Sequence, residues 1–333
     1  MKNRHKPLPP GSVVVLIPCY NEEQTIGKVV DDFRRVLPGA DVWVYDNNST
    51  DLTPEVARRH GARVRREPRQ GKGNVVRQML RDIDADCYLL VDGDDTYPAE
   101  SAIDLVRPIL LGRADHVVGD RISNGTYGAE NKRQFHGFGN ELVRWLIKVL
   151  YGHEYRDVMS GYRAMSRPFA RTFPVLSQGF ELETELSIHA ADKNWRIEQV
   201  PIEYRDRPAG SVSKLNTLTD GAKVLHMIAS LFKEYRPLPF FSILALVCLA
   251  LCLLLGLPVV AEFQQTGLVD RFPTAVLAMG LGILSVLFMA VGLILNTEVR
   301  ASRRAWEIEC SHAFMVDREV RKRSHRLGIR ADE

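Results

Sequence analysis

Cys87-Tyr88-Leu89-Leu90-Val91-Asp92-Gly93-Asp94-Asp95 is an apolar run that stops at an acidic cluster. The first five residues read as a strand buried on both faces, since they do not alternate with polar residues. In an open α/β sheet, ligands bind outside the carboxyl ends of the strands. Two carboxylates one residue apart on such an edge can share a divalent cation. Hard cations take oxygen ligands and are commonly held by one or two carboxylates plus substrate phosphates. Asp and Gly also favour plain turns, so Asp92-Gly93-Asp94 alone does not decide between a site and a turn.

The surrounding chain carries the same rhythm. Val13 to Ile17 is a second apolar run, ending at Pro18. Ile26, Val29, Val30, Phe33 and Val36 repeat at helical spacing. Strands are expected at 42–45, 63–65, 87–91 and 116–119, and helices at 24–36, 53–60, 72–83 and 100–111. Strands alternating with helices imply a mixed, mainly parallel α/β sheet covered on both faces. After 121 the rhythm breaks. A polar loop fills 121–133, a helix is expected from Phe138 to Tyr151, another around 180–191, and a strand around 197–204. Glu181, Glu183 and Glu185 on the later helix read as solvated charges, with contact of one of them to sugar hydroxyls as the alternative.

The 333 residues suffice for one large or two ordinary domains. A net charge of +3 gives no general basicity that would point to nucleic acid. The five cysteines are scattered, with no zinc or disulfide spacing. Residues 1–11 are polar and carry no signal-peptide pattern. Phe240 to Ala261 and Thr274 to Thr297 hold no charged residue. Each is long enough to span a bilayer, which takes roughly 20 apolar residues. Lys233 and Arg236 precede the pair, and Arg300, Arg303 and Arg304 follow it. By the positive-inside rule both flanks and both termini are expected in the cytoplasm, at the inner membrane. Leu218, Ala222, Leu225, Ile228, Phe232 and Tyr235 form an apolar stripe that reads as an interfacial helix. The expected organisation is a tail (1–11), a catalytic domain (12–215), the interfacial helix (216–236), a transmembrane hairpin (237–297) and a basic segment (298–333).

Pro18-Cys19-Tyr20-Asn21-Glu22, Asp46-Asn47-Asn48-Ser49-Thr50-Asp51 and Asp92-Gly93-Asp94 stand at successive strand ends. In this order and spacing they resemble the family 2 inverting glycosyltransferases of the Rossmann-like GT-A fold. Three further segments, with the trailing apolar pair, resemble one branch of that family, the polyprenyl-phosphate sugar transferases, which includes dolichyl-phosphate mannose synthase and the bactoprenol glucosyltransferases. They are Gly119-Asp120-Arg121, Asp157-Val158-Met159-Ser160-Gly161-Tyr162-Arg163, and the loop from Arg207 to Lys214.

The resemblance implies a nucleotide-diphosphate sugar donor, a polyprenyl phosphate acceptor, Mg²⁺ or Mn²⁺, and a lipid bilayer as surroundings. A homo-oligomer stays open. It implies that Asp46 bonds the donor base, with Pro18, Tyr20 and Glu22 lining base and ribose. Lys72 would lie near the pyrophosphate, Asp92 would face ribose or metal, and Asp94 would bind the metal. The third metal ligand stays open between Thr96 and Asp95. Asp157 is expected near the donor phosphates or sugar. Arg121, Arg133, Arg207 and Lys214 are candidates to grip the acceptor phosphate, because guanidinium binds phosphate bidentately. Ser211 and Ser213 share that last loop. A glycan or glycerolipid acceptor, and a non-catalytic sugar-nucleotide-binding scaffold, are the competing readings.

Overall fold

The computed structural model describes residues 12–123, 151–177, 181–205 and 232–327, together with positions 141, 144, 145, 147–149, 179 and 230. The chain divides into two compact units, Met1–Gly221 and Ala222–Glu333.

In the first unit the strands are β1 (Val13–Cys19), β2 (Asp41–Asp46), β3 (Arg63–Arg66), β4 (Cys87–Leu90), β5 (His116–Asp120), β6 (Arg163–Ser166) and β7 (Ile197–Pro201). The helices are α1 (Ile26–Val36), α2 (Thr53–Arg59), α3 (Lys72–Asp82), α4 (Ala102–Leu110), α5 (Arg167–Thr172) and α6 (Leu182–Asp192). One sheet holds all seven strands in the order β3-β2-β1-β4-β6-β5-β7. β1 pairs in parallel with β2 on one side and β4 on the other. The winding reverses between β1 and β4, which makes their carboxyl ends the topological switch point where ligands bind in such sheets.

Alternation along β1 assigns its side chains to two cores. Val13, Val15 and Ile17 pack with Val29, Val30 and Phe33 of α1 and Leu105 of α4. Val14 and Leu16 pack with Val75, Val76 and Met79 of α3 and Leu186 of α6. Each such side chain contributes about 1.5–3 kcal/mol by leaving water. The sheet is therefore clamped from both faces, and its edge carries the polar loops.

Three boundaries differ from the sequence reading. β4 ends at Leu90, although the Val91 N–H still donates to the Leu16 carbonyl at 3.0 Å. A short 3₁₀ turn (Ala99–Ser101) precedes α4, and β7 stops at Pro201. The larger difference is β6, which the sequence analysis did not identify. Arg163–Ser166 pairs antiparallel with both β4 and β5. All four of its residues are buried. The positions described between 141 and 151 are helical, as expected there.

The second unit contains α7 (Pro237–Thr266) and α8 (Phe272–Leu327). Their apolar spans have mean hydropathy 3.0 and 2.5, and their apolar side chains mostly face outward. Both are long and apolar enough to cross a membrane. Small residues bring the two together: a Cβ on Gly292 would lie 2.9 Å from Phe241 Cβ, and one on Gly282 3.3 Å from Cys252 Sγ. The Ser285 hydroxyl donates to the Ala245 carbonyl at 2.8 Å. α8 runs on without a break past residue 297, so the boundary expected at 298 is not a helix end. Most of the expected interfacial helix lies outside the described residues.

Candidate active site

The loops leaving β1 and β2 are laced together. The Asn21 N–H donates to Ser49 Oγ at 2.9 Å, and the Glu22 N–H to Thr53 Oγ1 at 2.8 Å. Asn21 Oδ1 accepts from the Thr50 N–H at 2.8 Å. Asn21 and Asn48 both take left-handed backbone conformations, which Asn tolerates. Asp46, at the end of β2, is buried and accepts from the Ser49 N–H at 3.2 Å. Tyr20 is 36% exposed, so its side chain does not belong to the core.

Asn47 is a site-shaping residue that the sequence reading left without a role. Its amide donates to the Glu67 and Arg69 carbonyls at 2.9 and 2.8 Å, and its Oδ1 accepts from the Gly71 N–H at 2.7 Å. It thereby fixes the loop after β3. Gly71 has φ +124°, a conformation that favours glycine. That turn places Lys72 at the first position of α3.

Lys72 Nζ donates to Asp92 Oδ1 and to Glu183 Oε1, each at 2.5 Å. Burial by itself would push this ammonium down; the two carboxylates outweigh burial and hold it well above the ordinary lysine range. Glu183 and Glu185 correct the expectation of solvated charges. Both are buried. Glu185 accepts from the Leu176 and Ser177 N–H groups at 2.8 and 2.9 Å, while Glu181 is exposed.

Asp94 is 5% exposed, and its Oδ1 accepts from the Thr96 hydroxyl at 2.6 Å and the Thr96 N–H at 3.2 Å. Asp95 has φ +59° and turns to Lys28 on α1 at 2.6 Å. Cys19 pairs with Asp46 in the β1–β2 register, and a Cβ on Gly93 would lie 2.7 Å from Cys19 Sγ, so the ends of β1 and β2 and the Asp92-Gly93-Asp94 turn meet at Cys19. Burial pushes the Cys19 thiol well up, and the Glu22, Asp46, Asp92 and Asp94 charges push it further. Among the described residues no group of three or more His, Cys, Asp or Glu forms a metal cage. Two carboxylates supply fewer oxygens than a hard cation takes, so a cation at Asp92 and Asp94 would need phosphate or water oxygens to complete its shell.

The loop entering β6 closes the other side. A Cβ on Gly161 would sit 2.5 Å from Asp92 Oδ2, so only glycine fits there without displacing the carboxylate. The Gly161 N–H donates to Tyr97 Oη at 2.9 Å. Arg163 is fully buried and donates to the Ser160 and Val158 carbonyls, to Ser187 Oγ and to His116 Nε2. It pins the loop from within.

Asp157, expected near the donor phosphates or sugar, is tied to Arg121. It is 0% exposed. Its two oxygens accept from Arg121 Nε at 2.6 Å and Nη2 at 3.0 Å. Asp157 therefore orients Arg121, whose guanidinium also lies over the Tyr204 ring, 5.4 Å from its centroid. Pro18 pairs with Tyr45 in the β1–β2 register. Arg133, Arg207, Ser211, Ser213 and Lys214 lie outside the described residues.

Residues 14–172 match glycosyl transferase family 2. Glycosyltransferase AglJ of Haloferax volcanii is 33% identical over 304 residues, 90% of this chain and 99% of that protein. Dolichyl-phosphate hexose transferase of the same organism is 35% identical over 224 residues, 67% of this chain and 95% of that protein. Among solved structures, glucosyl-3-phosphoglycerate synthase from Mycobacterium tuberculosis, in complex with Mn²⁺, uridine diphosphate and glucosyl-3-phosphoglycerate, superposes with a TM-score of 0.53. It is 26% identical and covers 67% of this chain and 79% of that one. The fold and site define a nucleotide-sugar-using transferase of GT-A architecture. The chain belongs to glycosyl transferase family 2.

Proposed function

We propose that this glycosyltransferase moves a hexose or N-acetylhexosamine from a nucleoside-diphosphate sugar to polyprenyl phosphate at the cytoplasmic face of a membrane. The observation that carries the acceptor class is the joining, in one chain, of a family 2 catalytic unit with two membrane-length apolar helices. The dolichyl-phosphate hexose transferase supports the same class over 95% of its length. The basic residues flanking the helix pair support the cytoplasmic orientation.

In this reading Asp46 receives the donor base, with Pro18, Tyr20 and Glu22 beside base and ribose. Asp94 and Asp92 hold Mg²⁺ or Mn²⁺ together with the donor phosphates; the Mn²⁺–uridine diphosphate complex of the solved neighbour supports that fit. Such a cation neutralises charge that builds on the departing diphosphate. Lys72, shared between Asp92 and Glu183, lies near the pyrophosphate. Arg121, oriented by Asp157, and Arg133, Arg207 and Lys214 grip the acceptor phosphate. The hydroxyls of Ser211 and Ser213 donate to it. A phosphate monoester with a second pKa of about 6 is largely dianionic at pH 7, so no general base is required. Its oxygen attacks the anomeric carbon, the bond from that carbon to the diphosphate breaks, and the configuration inverts.

The test is turnover by the full chain in detergent, with radiolabelled UDP- and GDP-sugars offered with and without polyprenyl phosphate. Label should enter the organic phase only when polyprenyl phosphate is present. Transfer instead to a phosphoglycerate, a glycan or a diacylglycerol would overturn the acceptor assignment. Donor binding without transfer to any acceptor would favour the scaffold reading.

A further inference from the structure

The Lys72 ammonium is shared between two carboxylates that arrive from distant parts of the chain. Asp92 lies at the end of β4, and Glu183 stands 111 residues from Lys72 on α6. The side chains of Lys72 and Glu183 are 10% and 7% exposed, while that of Asp92 is 29% exposed. Solvent and ligands therefore reach the group through Asp92, and Glu183 is its inner member. Glu183 is itself held in place. Its carbonyl accepts from Ser187 Oγ at 3.0 Å, and Ser187 Oγ accepts from Arg163, which anchors the loop carrying Gly161 against Asp92.

One ammonium between two carboxylates leaves the trio with a net charge of −1. We propose that Glu183 is a positioning residue for the transfer reaction: by taking a share of Lys72 it prevents the ammonium from neutralising Asp92, and so keeps that carboxylate competent for a divalent cation. This rests on the metal assignment made above. The physical basis is direct. A carboxylate whose charge is cancelled by a buried ammonium attracts a second cation weakly, because like charges repel strongly where water is scarce. With Glu183 present, Lys72 divides its charge between two carboxylates, each at 2.5 Å. Without the Glu183 charge, Lys72 pairs with Asp92 alone. Nothing in this requires Glu183 to touch sugar, phosphate or metal.

The experiment is a double-mutant cycle read by Mn²⁺ binding to the detergent-solubilised full chain, using electron paramagnetic resonance of free Mn²⁺ with UDP present at a fixed concentration. Glu183→Gln should weaken Mn²⁺ binding on the order of tenfold, and Glu183→Asp should recover part of that loss. In a Lys72→Met background the same Glu183→Gln change should cost less than about twofold, because no ammonium remains to be partitioned. Circular dichroism and thermal melting establish that each variant folds. A full tenfold loss that persists in the Lys72→Met background would show Glu183 acting on the cation directly and would overturn the proposal. So would unchanged Mn²⁺ affinity in a folded Glu183→Gln protein whose KM for the sugar donor has risen, since Glu183 would then contact the donor. Failure of the parent protein to bind Mn²⁺ at all would instead remove the metal assignment, and the proposal with it.

Discussion

Asp157→Asn separates orientation of Arg121 from contact with the donor. The carboxylate is wholly buried and accepts two hydrogen bonds from the Arg121 guanidinium, with further bonds from the Arg121 and Met159 N–H groups at 3.3 and 3.2 Å. An amide in its place keeps the shape. It removes the charge, however, and turns an NH₂ toward guanidinium N–H groups that need an acceptor. Removing one partner of a buried pair costs about 3–5 kcal/mol, because the remaining charge stays buried without compensation. Arg121 retains Tyr97 Oη at 3.4 Å and the face of Tyr204, which places the cost near the lower figure, about 3 kcal/mol. For a unit of this size 1 kcal/mol shifts the melting temperature by about 2–4 °C. The expected shift is therefore roughly 6–12 °C. The assay is thermal unfolding of the full chain in detergent, followed by intrinsic fluorescence, alongside calorimetric titration with UDP. Transfer should fall while UDP affinity holds. A melting temperature within about 2 °C of the parent, combined with UDP affinity lost in proportion to activity, would refute the argument and return Asp157 to the donor site.

Three further outcomes are expected. Gly161→Ala should cut turnover sharply with little loss of stability, because its Cβ would meet Asp92 Oδ2 at 2.5 Å; unchanged turnover would show that Asp92 can move without consequence. Burial pushes His189 down to about 3, and burial followed by the Arg163 charge pushes His116 well below its ordinary range. The unfolded chain takes up these protons first, so stability is full above the ordinary histidine pKa and declines as pH falls toward the folded values. Between pH 6.5 and 5 the slope should be up to about 1.4 kcal/mol per pH unit for each histidine, and His189→Gln should roughly halve it in denaturant titrations. Under the proposed orientation, Gln265→Cys should react with a membrane-impermeant maleimide added to intact cells and Arg304→Cys should not; the reverse pattern would invert the topology.

The half of the sheet from β1 to β4 was legible because its strands are unbroken apolar runs and its loops carry local turn residues. β6 was not, because Arg163-Ala164-Met165-Ser166 has neither an apolar run nor alternation. Its burial comes from two neighbouring strands that are remote in sequence. The same reason hid Glu183 and Glu185. Spacing on a helix reports which residues share its faces, but every residue from Leu182 to Ala191 is buried, so α6 has no solvent face for a pattern to reveal. Asp157 was legible as a conspicuous acid in a motif. Its partner, Arg121, was read as a phosphate ligand, and only the fold shows the pair. The Asp46, Asp92 and Asp94 locus was accessible because Asp46 closes β2 and Asp92 and Asp94 come just after the end of β4.

The antiparallel placement of β6 also sets the order in which the molecule can be assembled. β1 to β4 lie within the first 90 residues, so all their pairings, Val13 with Cys87 included, can form once β4 is made. β6 joins β4 across a comparable length of chain, Cys87 to Ser166, but only after residues 163–166 exist, and Lys72 must wait for Glu183. Contacts that close long loops form late, since the entropy of closure is spent before the contact returns anything. At a synthesis rate of about 5–20 residues per second, some seconds separate the emergence of Asp94 from that of Gly161 and Glu183. Through that interval the nascent chain carries a nearly complete nucleotide half with its acidic edge uncovered. Glu183 and Gly161 thus reach Lys72 and Asp92 only after the segments that carry those two residues have been made.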